Sequence, residues 1–193
     1  MASLKDLFIS RVRVKLLQTF LGNPADIFYV RQLVRKTGEE INAVRRELER
    51  LEELKALHKE PRGNRLYYGF RKDYPFYGEL IQLVAKTTGL GKAIVKNKNK
   101  LGKVKYAFMS GRLARRRPHN PEDVDLLIVG EIIMPQLQSI VAGFEGKLKR
   151  EINYSVMTKQ EFEFRKKRRD PFILQVLTAS RVMLIGDEEE MLS

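Results

Sequence analysis

Asp123 and Asp125 are the residues of this chain whose spacing is best suited to chemistry. The apolar run from Val124 to Val129 reads as a strand buried on both faces, and strand alternation sends side chains at i and i+2 to the same side. Two carboxylates so close resist joint ionisation unless a cation or hydrogen-bond donors compensate them. A divalent metal is the compensation that also does chemistry, because paired ions roughly 3.5–4 Å apart clamp the oxygens of a phosphoryl group. The bland alternative is a solvated strand entrance. His58 and His119 are the only histidines, and neither stands at metal-ligand spacing.

The elements that must hold this pair lie on either side of it. Val104 to Met109 reads as a strand, and Gly111 makes a turn that opens a short helix before the loop PHNPED. After Gly130, Met134 to Arg150 has a helical pattern interrupted by Gly143 and Gly146, which weaken it. Glu151 to Met157 reads as a third strand, Lys159 to Arg169 as a basic helix, Asp170-Pro171 as the start of another helix, and Arg181 to Ile185 as a last strand. Strands separated by helices imply a small α/β domain.

The chain carries 37 Lys and Arg against 24 Asp and Glu, a formal net charge of +13. Such an excess points to anionic partners rather than to a fold. Residues 1–72 hold 16 basic and 9 acidic residues. Between Glu79 and Glu122 there is no acid, while eleven basic residues run from Lys86 to Arg117, and a second cluster, RKKRR, spans Arg165 to Arg169. Two clusters, one leading into the glycine turn, raise nucleic acid or nucleotide as partner. The absence of cysteine excludes disulfides, thiolate zinc sites and thiol nucleophiles. No apolar run approaches the ~18 residues of a membrane span, and the charged, amphipathic start does not read as a secretory signal; a cytoplasmic protein with no membrane partner is expected.

Leu4 to Leu21 has a helical apolar stripe, ended by Gly22-Asn23-Pro24. Phe28 to Lys36 reads as a short helix and Glu40 to Leu54 as another, joined by a turn at Thr37-Gly38-Glu39. The second helix has Ile41, Val44, Leu48 and Leu51 on one line and Asn42, Arg45, Arg46, Glu49 and Arg50 opposite, a helix-turn-helix pattern. Two strands, Leu57 to Glu60 and Leu66 to Phe70, flank Arg62-Gly63-Asn64-Arg65, a good hairpin tip. Asp73-Tyr74-Pro75 marks a boundary. The helices expected over Phe76 to Ala85 (Phe76, Leu80, Leu83 and Val84 inward) and Leu90 to Leu101 form a connector, giving domains at 1–72, 73–101 and 102–193. The first helix has apolar residues on more than one face, including Leu7, Phe8, Ile9 and Val14, which raises a homodimer as an expectation.

Residues 4–72 resemble a winged helix of the ArsR-like class. That resemblance implies double-stranded DNA as partner, with Asn42, Arg45 and Arg46 facing base edges or phosphates and Arg62 and Arg65 on the wing. It departs at Lys55, where such helices usually end in glycine. Ser110 to Gly130, SGRLARRRPHNPEDVDLLIVG, resembles the signature of the minimal nucleotidyltransferases of the DNA polymerase β superfamily: Gly111 matches the glycine, Ala114 and Arg115 the small-then-basic pair, and Asp123 and Asp125 the carboxylates. With REINY, DPF and LIGDE further on, nearly the whole chain resembles a prokaryotic group of ArsR-like regulators joined to such a domain. The resemblance implies an α+β two-domain fold, a winged helix-turn-helix followed by a polymerase-β-like α/β domain.

It further implies Mg²⁺ held by Asp123 and Asp125, and an NTP whose phosphates rest on the turn at Gly111 with Arg112 and Arg115 nearby. A third carboxylate would be Glu151, since Asn153 stands where the family has an aspartate; Arg112 replaces the family's serine. Two readings stay open. One is a DNA-binding transcriptional regulator whose nucleotidyltransferase-like domain senses a nucleotide or has lost activity. The other is a working Mg²⁺-dependent enzyme moving NMP from NTP to a protein, RNA or small-molecule acceptor. A scaffold that binds only protein is the remaining alternative.

Overall fold

A computed structural model describes residues 8–118, 120 and 122–193. The chain has an α+β fold in two compact units, Met1–Thr87 and Thr88–Ser193. Of the two helices expected to form a connector, one belongs to each unit.

In the first unit, helix α1 (Arg11–Leu21) is capped by Ser10, whose hydroxyl accepts from Arg13 N. Its described span is shorter than expected; Phe8 and Ile9 precede the cap, and Leu4 and Leu7 lie outside the described residues. Val14, expected to add apolar surface for a partner, is buried instead, as are Leu17 and Phe20. A two-residue strand β1 (Phe28–Tyr29) precedes α2 (Val30–Thr37), where a helix alone was expected. The first pair of residues is drawn into extended form by antiparallel pairing with Tyr68 and Tyr67. After Gly38, left-handed at φ +65°, Glu40 caps α3 (Ile41–Glu53) by accepting from the backbone N–H groups of Asn42 and Ala43. The periodic line Val44, Leu48 and Leu51 is buried, while Asn42, Arg45 and Arg46 face outward.

Helix α3 ends without glycine. Lys55 takes the left-handed conformation itself, φ +56°, with Lys55 N donating to Glu52 O and Ala56 N to Leu51 O. These are the two bonds of a Schellman ending, so the missing glycine strains the exit without changing its path. Strands β2 (Leu57–Arg62) and β3 (Arg65–Phe70) then form a hairpin closed by Gly63-Asn64, with Gly63 at φ +56°. The sheet order is β1-β3-β2, antiparallel throughout. Pro61, which cannot donate to a ladder, sits on the edge strand. Helix α4 (Tyr77–Thr87) closes the unit against α1. It buries Ile81 and Val84; Phe76, expected inward, precedes the helix and is 61% exposed.

One charged side chain is sealed into this core. Glu47 is 4% exposed and is held by Arg13 Nε at 2.8 Å and Arg50 Nη1 at 3.0 Å. Burial alone raises its pKa, but hydrogen bonds from Arg13 and Ser10 more than offset this and hold the carboxyl below its ordinary value.

The second unit begins with α5 (Gly89–Lys96) and a 3₁₀ turn (Lys98–Lys100). Its sheet has the order β6-β5-β4-β7, formed by β4 (Gly102–Ser110), β5 (Leu126–Ile132), β6 (Tyr154–Met157) and β7 (Arg181–Ile185). Only β5 and β6 run parallel. The four-residue helix α6 (Gly111–Ala114) follows β4 directly. Helix α7 (Met134–Leu148) crosses from β5 to β6, with Gly143 and Gly146 in its interior and no atom within 4 Å of where a Cβ would stand. Tyr106 and Phe108 of β4, Leu127 and Val129 of β5, and Met183 of β7 share one core. It is covered by Phe162 of α8 (Lys159–Lys167), Ile173 of α9 (Pro171–Thr178) and Met191 of α10 (Glu188–Leu192). The alternate residues Leu126 and Ile128 are buried on the opposite face, as continuous apolar patterning requires.

Two tests follow from these ends and pairs. Lys55→Gly relieves the left-handed strain and raises stability by about 0.5–1 kcal/mol, read as a higher midpoint in urea. Glu47 has a depressed folded-state pKa, so its contribution is complete above the unfolded value near 4.3. It fades as pH falls through the lower folded value. Stability of the parent therefore falls more steeply than that of Glu47→Gln below about pH 4.3; parallel urea midpoints for the two proteins across that interval would refute the assignment.

Candidate functional site

The carboxylate pair sits just before β5 rather than in it, because the strand starts at Leu126, not Val124. Alternation therefore does not govern Asp123 and Asp125, and their environments differ. Asp125 is 3% exposed. Its Oδ1 accepts from Arg150 Nη2 at 2.7 Å and its Oδ2 from the backbone N–H of Asn153 at 3.2 Å. Its own N–H donates to Asn153 O at 2.7 Å. Asp123 is half-buried. Its Oδ1 accepts from Asn120 Nδ2 at 3.1 Å, and Arg112 Nε lies 2.8 Å from Oδ2. Oδ2 is itself buried and receives no directed hydrogen bond among the described residues, so the contact with Arg112 is ionic.

Local structure explains how the two arginines arrive. Lys149, left-handed at φ +53°, ends α7 and turns the chain so that Arg150 reaches Asp125. Arg112 occupies the first turn of α6, and its Nη2 also donates to Pro118 O at 3.1 Å. Each carboxylate thus has its own guanidinium, at the distance of a charge-assisted hydrogen bond. Asn153 serves as a brace: besides its contacts with Asp125, its Nδ2 donates to Asp123 O at 3.3 Å.

These partners bear on the expected Mg²⁺. A divalent ion needs carboxylate oxygens free to face it; here both oxygens of Asp125 are occupied and Asp123 is offset by Arg112. Among the described residues no three His, Cys, Asp or Glu side chains cluster in a way that could hold a metal. Glu151, expected on a third strand beside the pair, precedes β6, which starts only at Tyr154, and is exposed. The segment 151–153 is pinned by other bonds, including Ile152 N to Glu145 Oε1, and does not run as strand. The donor set present does not fit a metal.

The glycine turn is likewise occupied from within. Gly111 N donates to Ser180 O at 2.6 Å, and Leu113 N donates to the Ser110 hydroxyl at 3.1 Å. A Cβ at Gly111 would meet Ser180 Oγ at 2.2 Å, so glycine is required here for close approach of the segment entering β7. Arg115 Nη1 turns back to Gly111 O at 3.4 Å. A four-residue helix whose N–H groups are used in this way offers little to a phosphate.

Beside this cluster is a cavity of about 200 Å³. Its lining includes Arg112, Arg117, Asp123 and Arg181 together with Phe108, Phe172 and Val176. Arg150, Ser180 and Arg181 have no local sequence signal. Arg150 lies 25 residues beyond its partner, and no periodicity links them. His119 lies outside the described residues.

In the first unit, Asn42, Arg45 and Arg46 are exposed on α3, and neither arginine forms a salt bridge among the described residues. The tip arginines are held over rings: the Arg65 guanidinium lies 4.8 Å from the Tyr29 ring centre and that of Arg62 lies 5.7 Å from that of Tyr67. Arg62 also pairs with Glu60 at 2.7 Å. The two tyrosines stack edge-to-face at 5.5 Å, and a hydrogen bond from Arg35 draws the Tyr29 hydroxyl below its ordinary pKa. Alternation places Tyr29, Tyr67, Arg62 and Arg65 on the outer face of the hairpin sheet.

The chain matches no protein-family model, no curated protein and no solved structure. Among the described residues no helix is long and apolar enough to cross a membrane.

The two aspartates differ in what they support. Removing one partner of a buried ion pair costs about 3–5 kcal/mol, whereas an exposed pair contributes about 0–1 kcal/mol. Arg150 is mostly covered and Arg112 is nearly half exposed. Asp125→Ala is therefore expected to lower the urea unfolding free energy by about 3 kcal/mol and Asp123→Ala by about 1 kcal/mol or less. Equal losses would show that Asp125 is not the structural member of the pair.

Proposed function

We propose that this chain is a DNA-binding transcriptional regulator of the cytoplasm, with an ArsR-like winged helix in residues 1–72 and a nucleotidyltransferase-like domain that has lost its metal-dependent chemistry. The observation that carries the reading is the contrast between two sets of arginines on α3 (Ile41–Glu53) and around Asp123. Arg50 is used internally, on Glu47, while Arg45 and Arg46 stand exposed on the helix face that the resemblance assigns to DNA. Arg112 and Arg150, by contrast, neutralise the two carboxylates that the resemblance assigns to Mg²⁺. A regulator needs the first feature and does not need free carboxylates. A transferase needs the free carboxylates.

In this reading α3 enters the major groove, with Asn42 at base edges, and the hairpin tip rests on the backbone. The rings of Tyr29 and Tyr67 limit where Arg65 and Arg62 can lie, so part of their ordering entropy is lost before binding. Binding to duplex DNA is then steeply salt-dependent, each phosphate contact adding about −0.9 to the slope of log K against log salt. The double variant Arg62→Ala with Arg65→Ala flattens that slope by roughly 1–2, and Arg45→Ala with Arg46→Ala weakens binding further. A mobility-shift titration in which the parent fails to bind duplex DNA even at low salt would sink the proposal; an unchanged slope in the tip variant would remove the wing from it.

A further inference from the structure

Three arginines gather around one hydroxyl of the first unit. Tyr29 is half-buried at the junction of β1 and α2, and its hydroxyl accepts from Arg35 Nη2 at 3.2 Å. Arg65 reaches over from the hairpin tip, its guanidinium 4.8 Å from the centre of the Tyr29 ring. The hydrogen bond from Arg35, joined by the charges of Arg35, Arg65 and Arg31, holds the hydroxyl below its ordinary pKa against the opposing effect of burial. Arg31, Arg35 and Arg65 are exposed, and none forms a salt bridge among the described residues. Glu60, on the same sheet face, is taken by Arg62 at 2.7 Å. Arg31 and Arg35 stand one helical turn apart on α2, where like charges repel.

The arrangement selects its ligand. A tyrosine hydroxyl that accepts from Arg35 keeps its own proton to donate, and no acceptor for that proton is found among the described residues. Three cations around such a donor call for an anion. The rings themselves are in use: Arg65 covers Tyr29, Arg62 covers Tyr67, and the two rings meet edge-to-face at 5.5 Å. They support guanidinium groups and are not laid open as stacking platforms for unpaired bases. The donors come from three segments, β1, α2 and β3. A tetrahedral phosphate can accept from several directions at once, whereas a planar carboxylate is matched by a single arginine fork.

We propose that Tyr29, Arg31, Arg35 and Arg65 form a binding site for one phosphate of the duplex DNA backbone, with the Tyr29 hydroxyl donating to a non-ester oxygen and the three guanidinium groups neutralising its charge. The source of the phosphate rests on the regulator reading, but the site itself uses no residue of α3. It carries the contact from the hairpin tip onto β1 and α2, and it makes the ring of Tyr29 the support that holds Arg65 beside the hydroxyl.

The test titrates the full chain against a labelled duplex at several salt concentrations. Tyr29→Phe keeps the ring under Arg65 and removes only the donor; it is expected to weaken binding about tenfold at fixed salt and to leave the melting temperature unchanged. Arg31→Gln with Arg35→Gln is expected to flatten the slope of log K against log salt by roughly 2. Arg45→Ala with Arg46→Ala reports on α3 separately. Where the parent binds duplex DNA, the proposal is overturned if Tyr29→Phe binds as tightly as the parent, or if the Arg31 and Arg35 variant keeps the parental slope. Where the parent does not bind duplex DNA, the regulator reading fails and inorganic phosphate decides the site. A rise in melting temperature with millimolar phosphate over chloride of equal ionic strength, lost in the Arg31 and Arg35 variant, supports the site with a free phosphate as its ligand. The absence of that rise overturns the site as well. Binding to anionic vesicles in preference to the duplex, equally lost in Tyr29→Phe, overturns the assignment to DNA in favour of a lipid phosphate.

Discussion

Asp125 is a charge placed where water cannot reach it, and much of the second unit is arranged so that it can remain there. An unpaired buried carboxylate would be intolerable, so the chain supplies a guanidinium from Arg150 and a backbone N–H from Asn153. The return bond from Asp125 N to Asn153 O closes a reciprocal contact between the two segments. That contact stands one residue ahead of the first parallel pair, Leu126 with Tyr154, and so sets the register of β5 against β6. Parallel neighbours cannot be joined by a tight turn; here the long crossover through α7 is ended at Lys149, and polar contacts at the strand entrance align what the turn cannot.

The first unit solves a similar problem with Glu47, buried between Arg13 and Arg50. In a chain where basic residues outnumber acidic ones 37 to 24, carboxylates are the scarce partner. Two of the scarce ones are spent inside, joining α1 to α3 and β5 to β6. Arg45 and Arg46, exposed and without a salt bridge among the described residues, are therefore available surface charge. Buried pairs of this kind contribute little net stability compared with apolar replacements, but removing one member is severe. They act as constraints on arrangement more than as a source of cohesion.

What could be read from the sequence follows the range of each physical signal. The line Val44, Leu48, Leu51 in α3 and the apolar run in β5 were legible because helix and strand periods act over neighbouring residues. The hairpin was legible from Gly63-Asn64. Boundaries were less so: β5 starts at Leu126 rather than Val124, and Asp125 stands just ahead of it with its backbone bonded to Ser110 and Asn153 on either side. Lys55 breaks the expectation of glycine because the two Schellman bonds and the burial of Ala56 tolerate a strained residue. Phe76 was expected inward by periodicity, yet the helix begins one residue later, and Tyr74 and Tyr77 stand beside Phe70, 5.9 and 6.0 Å between ring centres. The pairings of Arg112 with Asp123 and Arg150 with Asp125 span loops and a whole helix, and no local pattern encodes them.

The hairpin tip has a consequence for how this chain can change over generations. Arg62 and Arg65 face each other across a two-residue turn, and Tyr68 and Phe70 point inward only because each stands an odd number of residues from Arg65. Gain or loss of a single residue between Arg65 and Tyr68 would exchange the two faces, bringing Tyr67 into the core and turning Tyr68 to solvent. Lineages descended from this sequence can therefore lengthen or shorten the arm only in paired steps, one residue on each strand at a time for the turn and two at a time within β3. Length in this arm is quantised, while Gly63 holds the turn at a φ of +56°.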